Sequence, residues 1–295
     1  MRIAVTGSSG LLGSALVESL AGDGHDVVRL VRRPARAANE VQWDPEGGSV
    51  DLARLAGVEG AVHLAGANVG EHRWTDSYKR RIRDSRVLGT RTLVRALTSL
   101  DPVPRVLVCG SAKGVYGERG DEVLTEESAP GSNFLAGVVQ DWEAETAAAT
   151  KAGIRVALPR TCIVLAPEGG MLGRLLPLMK LGLAGPLGNG RQWWSWITLP
   201  DAVAGLRFLL DNEISGPVNL GSPEPERQID VMRAFARELH RPAVLPAPRF
   251  ALRTLLGEFT DEIVVSERLK PVVLLDAGFT FRHPRIQDAA AWATG

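Results

Sequence analysis

Three glycines spaced by three stand in Val5-Thr6-Gly7-Ser8-Ser9-Gly10-Leu11-Leu12-Gly13, directly behind a short apolar run. Such spacing also arises by chance: Gly182, Gly185 and Gly188 repeat it, but with Pro186 inside and no strand before them, which reads as a plain loop. Context separates the two. Ile3 to Thr6 suit a strand, and Leu11, Leu12, Ala15 and Leu16 begin an apolar helical face. Between a strand and a helix, one glycine closes the turn and one lets backbone N–H groups approach a pyrophosphate without a Cβ in the way. The third lets the helix pack on the strand. Amides and dipole at the helix start then hold the negative charge. The residues from Gly7 through Ser8, Ser9, Gly10, Leu11 and Leu12 to Gly13 are therefore expected to cradle a dinucleotide.

The second chemical signal is a pair of adjacent cations. A strand from Val27 to Val31 ends at Arg32-Arg33, where a site for NAD would place an acidic residue against the ribose 2′-hydroxyl. Asp26 is acidic but opens that strand, a full strand length away. Guanidinium groups at the strand end favour a 2′-phosphate through charge-assisted, often bidentate hydrogen bonds. NADP(H) is the expected cofactor, with Arg32 and Arg33 as its selectors.

These residues need a frame, and the chain supplies one. Strand-like runs at Ile3 to Thr6, Val27 to Val31, Ala61 to Leu64, Val106 to Cys109 and Val156 to Leu158 alternate with helical patterns at Leu11 to Leu20, Ser85 to Leu97 and Asp141 to Ala152. That alternation predicts an α/β fold, a Rossmann-type doubly wound parallel sheet over residues 1–165. Residues 197–222, with the strand-like Pro217 to Leu220, are expected to return to it. Residues 166–196 and 223–295 should form a smaller, tightly packed substrate-side domain. Within it Arg191, Trp193, Trp194 and Trp196 combine donors with flat aromatic surfaces, suited either to stacking a sugar or base or to interdomain packing. Asn68, Glu71, Arg73 and Lys79 follow the strand at Ala61, on the side where Rossmann proteins hold the nicotinamide.

Equal numbers of acidic and basic residues, 34 each, give no net field to draw nucleic acid or an anionic membrane. The apolar stretch from Met171 to Leu187 is broken by Arg174, Lys180, Pro177 and Pro186 and makes a poor bilayer span. No signal-peptide pattern opens the chain, so a cytoplasmic location is expected. Cys109 and Cys162 lie in apolar runs and read as small hydrophobes rather than as a disulfide or zinc site.

Thr6 to Gly13 and His63-Leu64-Ala65-Gly66 together resemble the extended short-chain dehydrogenase/reductase superfamily. His72-Arg73-Trp74, Ser85-Arg86, Gly89-Thr90-Arg91, Trp142-Glu143, the stretch from Gly188 to Ile197 and the tail with Lys270-Pro271 and Gly278-Phe279-Thr280-Phe281 narrow the resemblance. They look like the atypical, YfcH-like epimerase branch, in which a short C-terminal domain of unknown function follows the Rossmann unit. The resemblance implies cofactor contacts at Leu64, Ala65 and Gly66 and a substrate-orienting hydroxyl at Ser111. It leaves a homodimer open. Superfamily members that oxidise a carbinol use a Tyr-x-x-x-Lys pair, and this chain has none: Ile82 follows Tyr78 by four, Gly120 follows Tyr116 by four, and Leu135 and Val139 stand where the pair belongs. Tyr116, in Val115-Tyr116-Gly117, is the one tyrosine near the site and a candidate acid.

Two functions follow as expectations. One is an NADP(H)-dependent oxidoreductase or epimerase-like enzyme acting on a small polar, sugar-derived substrate, with Ser111 and Tyr116 as catalytic residues and Asn68, Arg191 and Trp194 holding the substrate. The other is a non-catalytic NADP(H)-binding sensor or scaffold. No metal site is expected.

Overall fold

Seven strands assemble where β-branched and apolar residues cluster, and the computed structural model describes all 295 residues around them. They are β1 (Arg2–Thr6), β2 (Asp26–Val31), β3 (Glu40–Asp44), β4 (Gly60–His63), β5 (Val106–Cys109), β6 (Arg155–Thr161) and β7 (Gly216–Leu220). Their order in the sheet is β7-β6-β5-β4-β1-β2-β3, with every neighbouring pair among these seven parallel; the two-residue strands Ser49–Val50, antiparallel to β3, and Ser111–Ala112, parallel to β6, complete a nine-stranded sheet. The chain builds outward from β1 through β2 to β3, then crosses back to β4 on the other side. That reversal opens a crevice at the carboxyl ends of β1 and β4, where doubly wound sheets bind ligands. The fold is the Rossmann type.

The helices that position the site are α1 (Leu11–Gly22), α2 (Asp76–Thr98), α3 (Phe134–Ala144), α4 (Leu199–Asp211), α5 (Gln228–Glu238) and α6 (Ile286–Thr294). Helices α1 and α4 cover one face, burying Leu16, Leu20, Leu206 and Leu209 against Ile3, Val5 and Val108. Helices α2 and α3 cover the other, where Leu93, Leu97 and Trp142 pack on Ala4, Ala61 and Leu107. At about 25 cal/mol per Å² of apolar surface removed from water, these two layers are the main stabilising contribution. A third core joins Leu172, Trp194, Trp196, Phe235 and Ile286 beyond the sheet.

Strand β3 was not anticipated. Its alternation is visible in the residues, since Val41 and Trp43 are buried while Gln42 and Asp44 face solvent, but five residues holding two acids make a faint signal. Helix α2 begins nine residues before Ser85: Thr75 caps it by accepting from the Tyr78 amide, and its first turns show only Tyr78 and Ile82 to the interior amid many charges. Helix α3 begins at Phe134 rather than Asp141 and ends at Ala144, a short helix at Ala147–Lys151 following. The glycines at 182 and 188 lie in a loop at positive φ, where Leu187 bridges to Ala247.

Asp201, buried at the start of α4, ties the C-terminal tail to the Rossmann unit. Its Oδ1 accepts from the Arg282 amide at 2.7 Å, and Oδ2 accepts from the His283 amide at 2.9 Å and the Thr198 hydroxyl at 3.0 Å. No helix is long and apolar enough to cross a membrane.

Candidate cofactor and active site

Each glycine of the first turn answers to a different contact. Gly7 has φ +66°, and a Cβ there would fall 2.7 Å from the Leu64 carbonyl carbon, so both conformation and space demand glycine. At Gly13 a Cβ would lie 2.1 Å from the Gly7 carbonyl oxygen, which is what lets α1 sit down on the turn. Gly10 differs: its nearest protein atom is 3.3 Å away and it is exposed beside Ser9, whereas Ser8 is buried. Gly10 is also the N-cap of α1, with no capping side chain and no acidic residue in the first turn. The leading amides of α1, from Leu11 and Leu12, thus keep the unpaired donors every helix start carries. An open glycine before uncapped amides fits a diphosphate.

Across the crevice, the Thr6 hydroxyl accepts from the amides of Leu64 and Ala65, each at 3.1 Å, and meets His63 Nδ1 at 2.7 Å. With both acceptor sites of the oxygen used, its hydrogen points to Nδ1 and the His63 proton sits on Nε2. Burial pushes His63 down to about 4, so it is a neutral core residue that locks the end of β4 to the end of β1. Beyond that lock Leu64 and Ala65 are half-buried and Gly66 is exposed at the mouth.

The two arginines separate. Arg33 lays its fork on Glu40, Nη1 to Oε2 at 2.8 Å and Nη2 to Oε1 at 2.7 Å, and Glu40 also takes Arg29 at 2.7 Å and the Arg36 amide at 2.8 Å. Glu40 is buried, and hydrogen bonding from Arg33 holds its carboxyl at about 2. Arg32 is exposed and makes no side-chain hydrogen bond within the protein. The pair expected to share one task therefore divides it, Arg33 anchored on a carboxylate and Arg32 free.

On the substrate side the expected catalytic residues are drawn into a buried polar knot. Ser111 donates to Glu143 Oε1 at 2.5 Å. Arg160 clamps the same carboxylate from Nε and Nη2, each at 3.0 Å, and donates through Nη1 to the Tyr116 hydroxyl at 3.0 Å. Tyr116 in turn donates to Asn219 Oδ1 at 2.8 Å. Tyr116 is fully buried and burial raises its hydroxyl to about 12, so it has no surface from which to protonate a substrate. Ser111, 4% exposed with its hydrogen on a carboxylate, holds the end of the sheet in place. Val139 is buried, and Leu135 is half-buried against Gly114.

The substrate-binding expectations divide too. Trp194 is buried in the third core and donates Nε1 to the Ile263 carbonyl at 3.2 Å. Arg191 is exposed on its loop. Asn68 is exposed, with Oδ1 accepting from the Gly70 amide at 2.9 Å and its carbonyl accepting from the Tyr78 hydroxyl. Residues 249–264 come down on this loop: Phe259 lies against Gly70 and Trp74, Arg73 donates to the Thr254 carbonyl, and Lys79 pairs with Glu258. Lys113, just past Ser111, pairs with the buried Glu267 from the same C-terminal region, and burial lowers the Lys113 ammonium. Apart from this crevice, a cavity of about 560 Å³ opens between α1, α4 and the tail, lined by Ser19, Arg207 and Trp292 among others but by none of the glycine-turn residues.

Residues 3–221 match the model of the NAD dependent epimerase/dehydratase family. The chain belongs to this family. Residues 247–293 of the epimerase-family chain match a domain of unknown function, DUF1731. Its relatives include an epimerase family protein, ML0860, of Mycobacterium leprae, 42% identical over 99% of this chain and 95% of that one. Another is the epimerase family protein YfhF of Bacillus subtilis, 34% identical over 98% and 96%. Among solved structures, the human epimerase family protein SDR39U1 with NADPH superposes with a TM-score of 0.88 at 25% identity, covering 100% of this chain and 99% of that one. A nucleoside-diphosphate sugar epimerase from Corynebacterium glutamicum gives 0.81 at 36% identity, covering 100% and 58%.

Sequence reasoning passed over four residues of this epimerase-family site. Glu143 reads as an ordinary helical ion-pair residue, Arg160 sits silently in a strand, Glu40 lies in the unforeseen β3, and Glu267 is far along the chain. The available signal was charge inside a strand, where Arg160 interrupts a run that is otherwise apolar.

Proposed function

We propose that this epimerase-family protein binds NADP(H) at the Gly7 turn and carries out hydride chemistry on a small polar substrate of the nucleotide-sugar kind. The observation that carries the cofactor choice is Arg32, a guanidinium without a protein partner at the end of β2, the strand paired with β1 up to the Gly7 turn. The NADPH in the human relative's structure and the naming of the Corynebacterium protein as a nucleoside-diphosphate sugar epimerase support the reading. When bound, the nicotinamide supplies or accepts the hydride. The chain's own part is to hold the diphosphate on the amides of Leu11 and Leu12 and to fix the crevice wall through Thr6 and His63. Because the chain carries no Tyr-x-x-x-Lys run, proton transfer falls to the substrate, to water or to a group outside the usual pair.

Titration calorimetry with NADPH and NADH tests the cofactor reading. NADPH should bind the wild type more tightly, and Arg32→Ala should erase most of that preference; an unchanged ratio would sink it. A panel of carbonyl compounds and nucleotide sugars, followed by NADPH absorbance, tests turnover. The second reading, a cofactor-binding sensor, is favoured by the apolar residues at 135 and 139 and the sequestered Tyr116 hydroxyl. Tight NADPH binding with no turnover across the panel would select it.

A further inference from the structure

One half-buried carboxylate of the C-terminal region stands at the carboxyl edge of the sheet without an ion pair. Glu262 lies on the short helix Phe259–Val264, whose Phe259 rests on Gly70 and Trp74 in the loop after β4 and whose Val264 reaches Gly188. Its Oε1 faces Asn133 Nδ2 at 3.5 Å, and Asn133 caps α3 by accepting from the Ala136 amide at 2.8 Å. Lys113, two residues past Ser111, acts on the same carboxylate through its charge. The helix is thus set among the loop after β4, the residues after β5 and the start of α3. All three lie at the edge where doubly wound sheets bind their ligands.

Other buried carboxylates nearby are committed, Glu143 to Arg160 and Glu267 to Lys113. Glu262 Oε2, by contrast, makes no hydrogen bond within the protein and is not walled off from solvent. Burial pushes its carboxyl above the ordinary range, Lys113 pulls it back, and Asp261, itself held by Arg249 and Arg253, pushes it further up. Lys113 is shared, since Glu267 pairs with it and Glu118 acts on it as well. A carboxyl poised in this way keeps its proton closer to neutral pH than a free one, as a general acid or base must. We propose that Glu262 is the catalytic acid–base of this protein, exchanging the proton of the substrate's hydroxyl through Oε2. This rests on the hydride-transfer reading above and names the group that serves it. In the oxidising direction the hydroxyl proton passes to Glu262 while hydride, with its electron pair, leaves the same carbon for the oxidised cofactor. A C=O bond forms, and Glu262 ends protonated. In reduction it returns that proton to the carbonyl oxygen as hydride arrives at the carbon.

The test follows NADPH-dependent reduction of the carbonyl and nucleotide-sugar panel by the full chain, beside NADPH binding by calorimetry. Glu262→Gln, which keeps the shape and cannot exchange the proton, should lower kcat by about 100-fold or more, the usual worth of a positioned acid. KM should stay within about threefold and the NADPH Kd within about twofold. Reduction needs Glu262 protonated, so wild-type kcat should fall as pH rises through a value above the ordinary carboxyl value of roughly 4.3, and the variant should lack that fall. A Glu262→Gln protein with wild-type kcat and an unchanged pH profile overturns the proposal and leaves the hydride-transfer reading standing. So does one that loses NADPH affinity in step with kcat, since Glu262 would then be holding the crevice together. A wild type that binds NADPH and turns over nothing in the panel defeats that reading and this proposal with it. Should Glu262→Gln fail to fold, Glu262→Asp decides. A kcat lowered by about tenfold or more with the fall in pH retained supports the acid, and wild-type kcat overturns it.

Discussion

Arg32 and Arg33 are chemically alike and differ only in what stands opposite. Arg32→Ala is expected to cut NADPH affinity by about tenfold or more and leave thermal stability almost unchanged, read by calorimetry and a melting curve. Arg33→Ala should do the reverse, lowering the melting midpoint because Glu40 then keeps only Arg29 and the Arg36 amide. Glu40 also sets a pH window. Its folded-state pKa of about 2 lies below the ordinary value of roughly 4.3, so its stabilising contribution is complete above that ordinary value and is lost as pH falls towards 2. Glu40→Gln should therefore flatten the loss of stability between roughly pH 4 and 2, measured by denaturant unfolding across that range. An unchanged slope would mean that the Arg33 fork does not hold the carboxylate in solution.

At the scale of the element, the strand, turn and helix around Gly7 separate folding from binding. Gly13→Ala places a methyl within 2.1 Å of the Gly7 carbonyl, in the seam between α1 and the turn. It should cost about 1–3 kcal/mol of stability through overpacking, and cofactor binding with it. Gly10→Ala meets nothing closer than 3.3 Å and should fold with a stability within about 1 kcal/mol of the wild type, yet lose NADPH affinity where the phosphate must approach. Equal melting curves for the two variants would contradict the division. Much of this element was legible before any coordinates, since strand, glycines and apolar helix face follow one another without interruption. Helix α2 was legible only in its second half, because its first turns expose so many charges that Tyr78 and Ile82 make a thin stripe.

For the whole molecule, the decisive contacts join distant parts of the chain. Asp201 holds the backbone at residues 282 and 283, so Asp201→Ala should release the tail. Leaving those amides and the Thr198 hydroxyl without a buried acceptor should cost about 3 kcal/mol, and limited proteolysis should then remove α6 before the rest of the chain is cut. A tail that stays resistant would show that the packing of α6 on α5 suffices by itself. Lys113 and Glu267 make a second tie, between the end of the sheet and the C-terminal region. Lys113→Met should destabilise the protein by about 3–5 kcal/mol, measured by denaturant unfolding, because it leaves a buried carboxylate unpaired. A loss below about 1 kcal/mol would place that carboxylate in contact with water.

By themselves the residues determined the doubly wound sheet, the glycine cradle and the cationic end of β2, because strand and helix periodicity and backbone freedom at glycine are local properties. Their order also showed that the usual Tyr-x-x-x-Lys pair is absent. Which polar groups are free was decided by tertiary structure alone. Whether Arg33 or Arg32 is spoken for depends on Glu40 arriving in the neighbouring strand; Tyr116 and Ser111 lose their freedom to Arg160, Glu143 and Asn219, and Trp194 to the third core. A side chain's chemical type is written in the sequence, but its charge state and accessibility are set by neighbours tens to hundreds of residues away, and those exist only once the chain has packed.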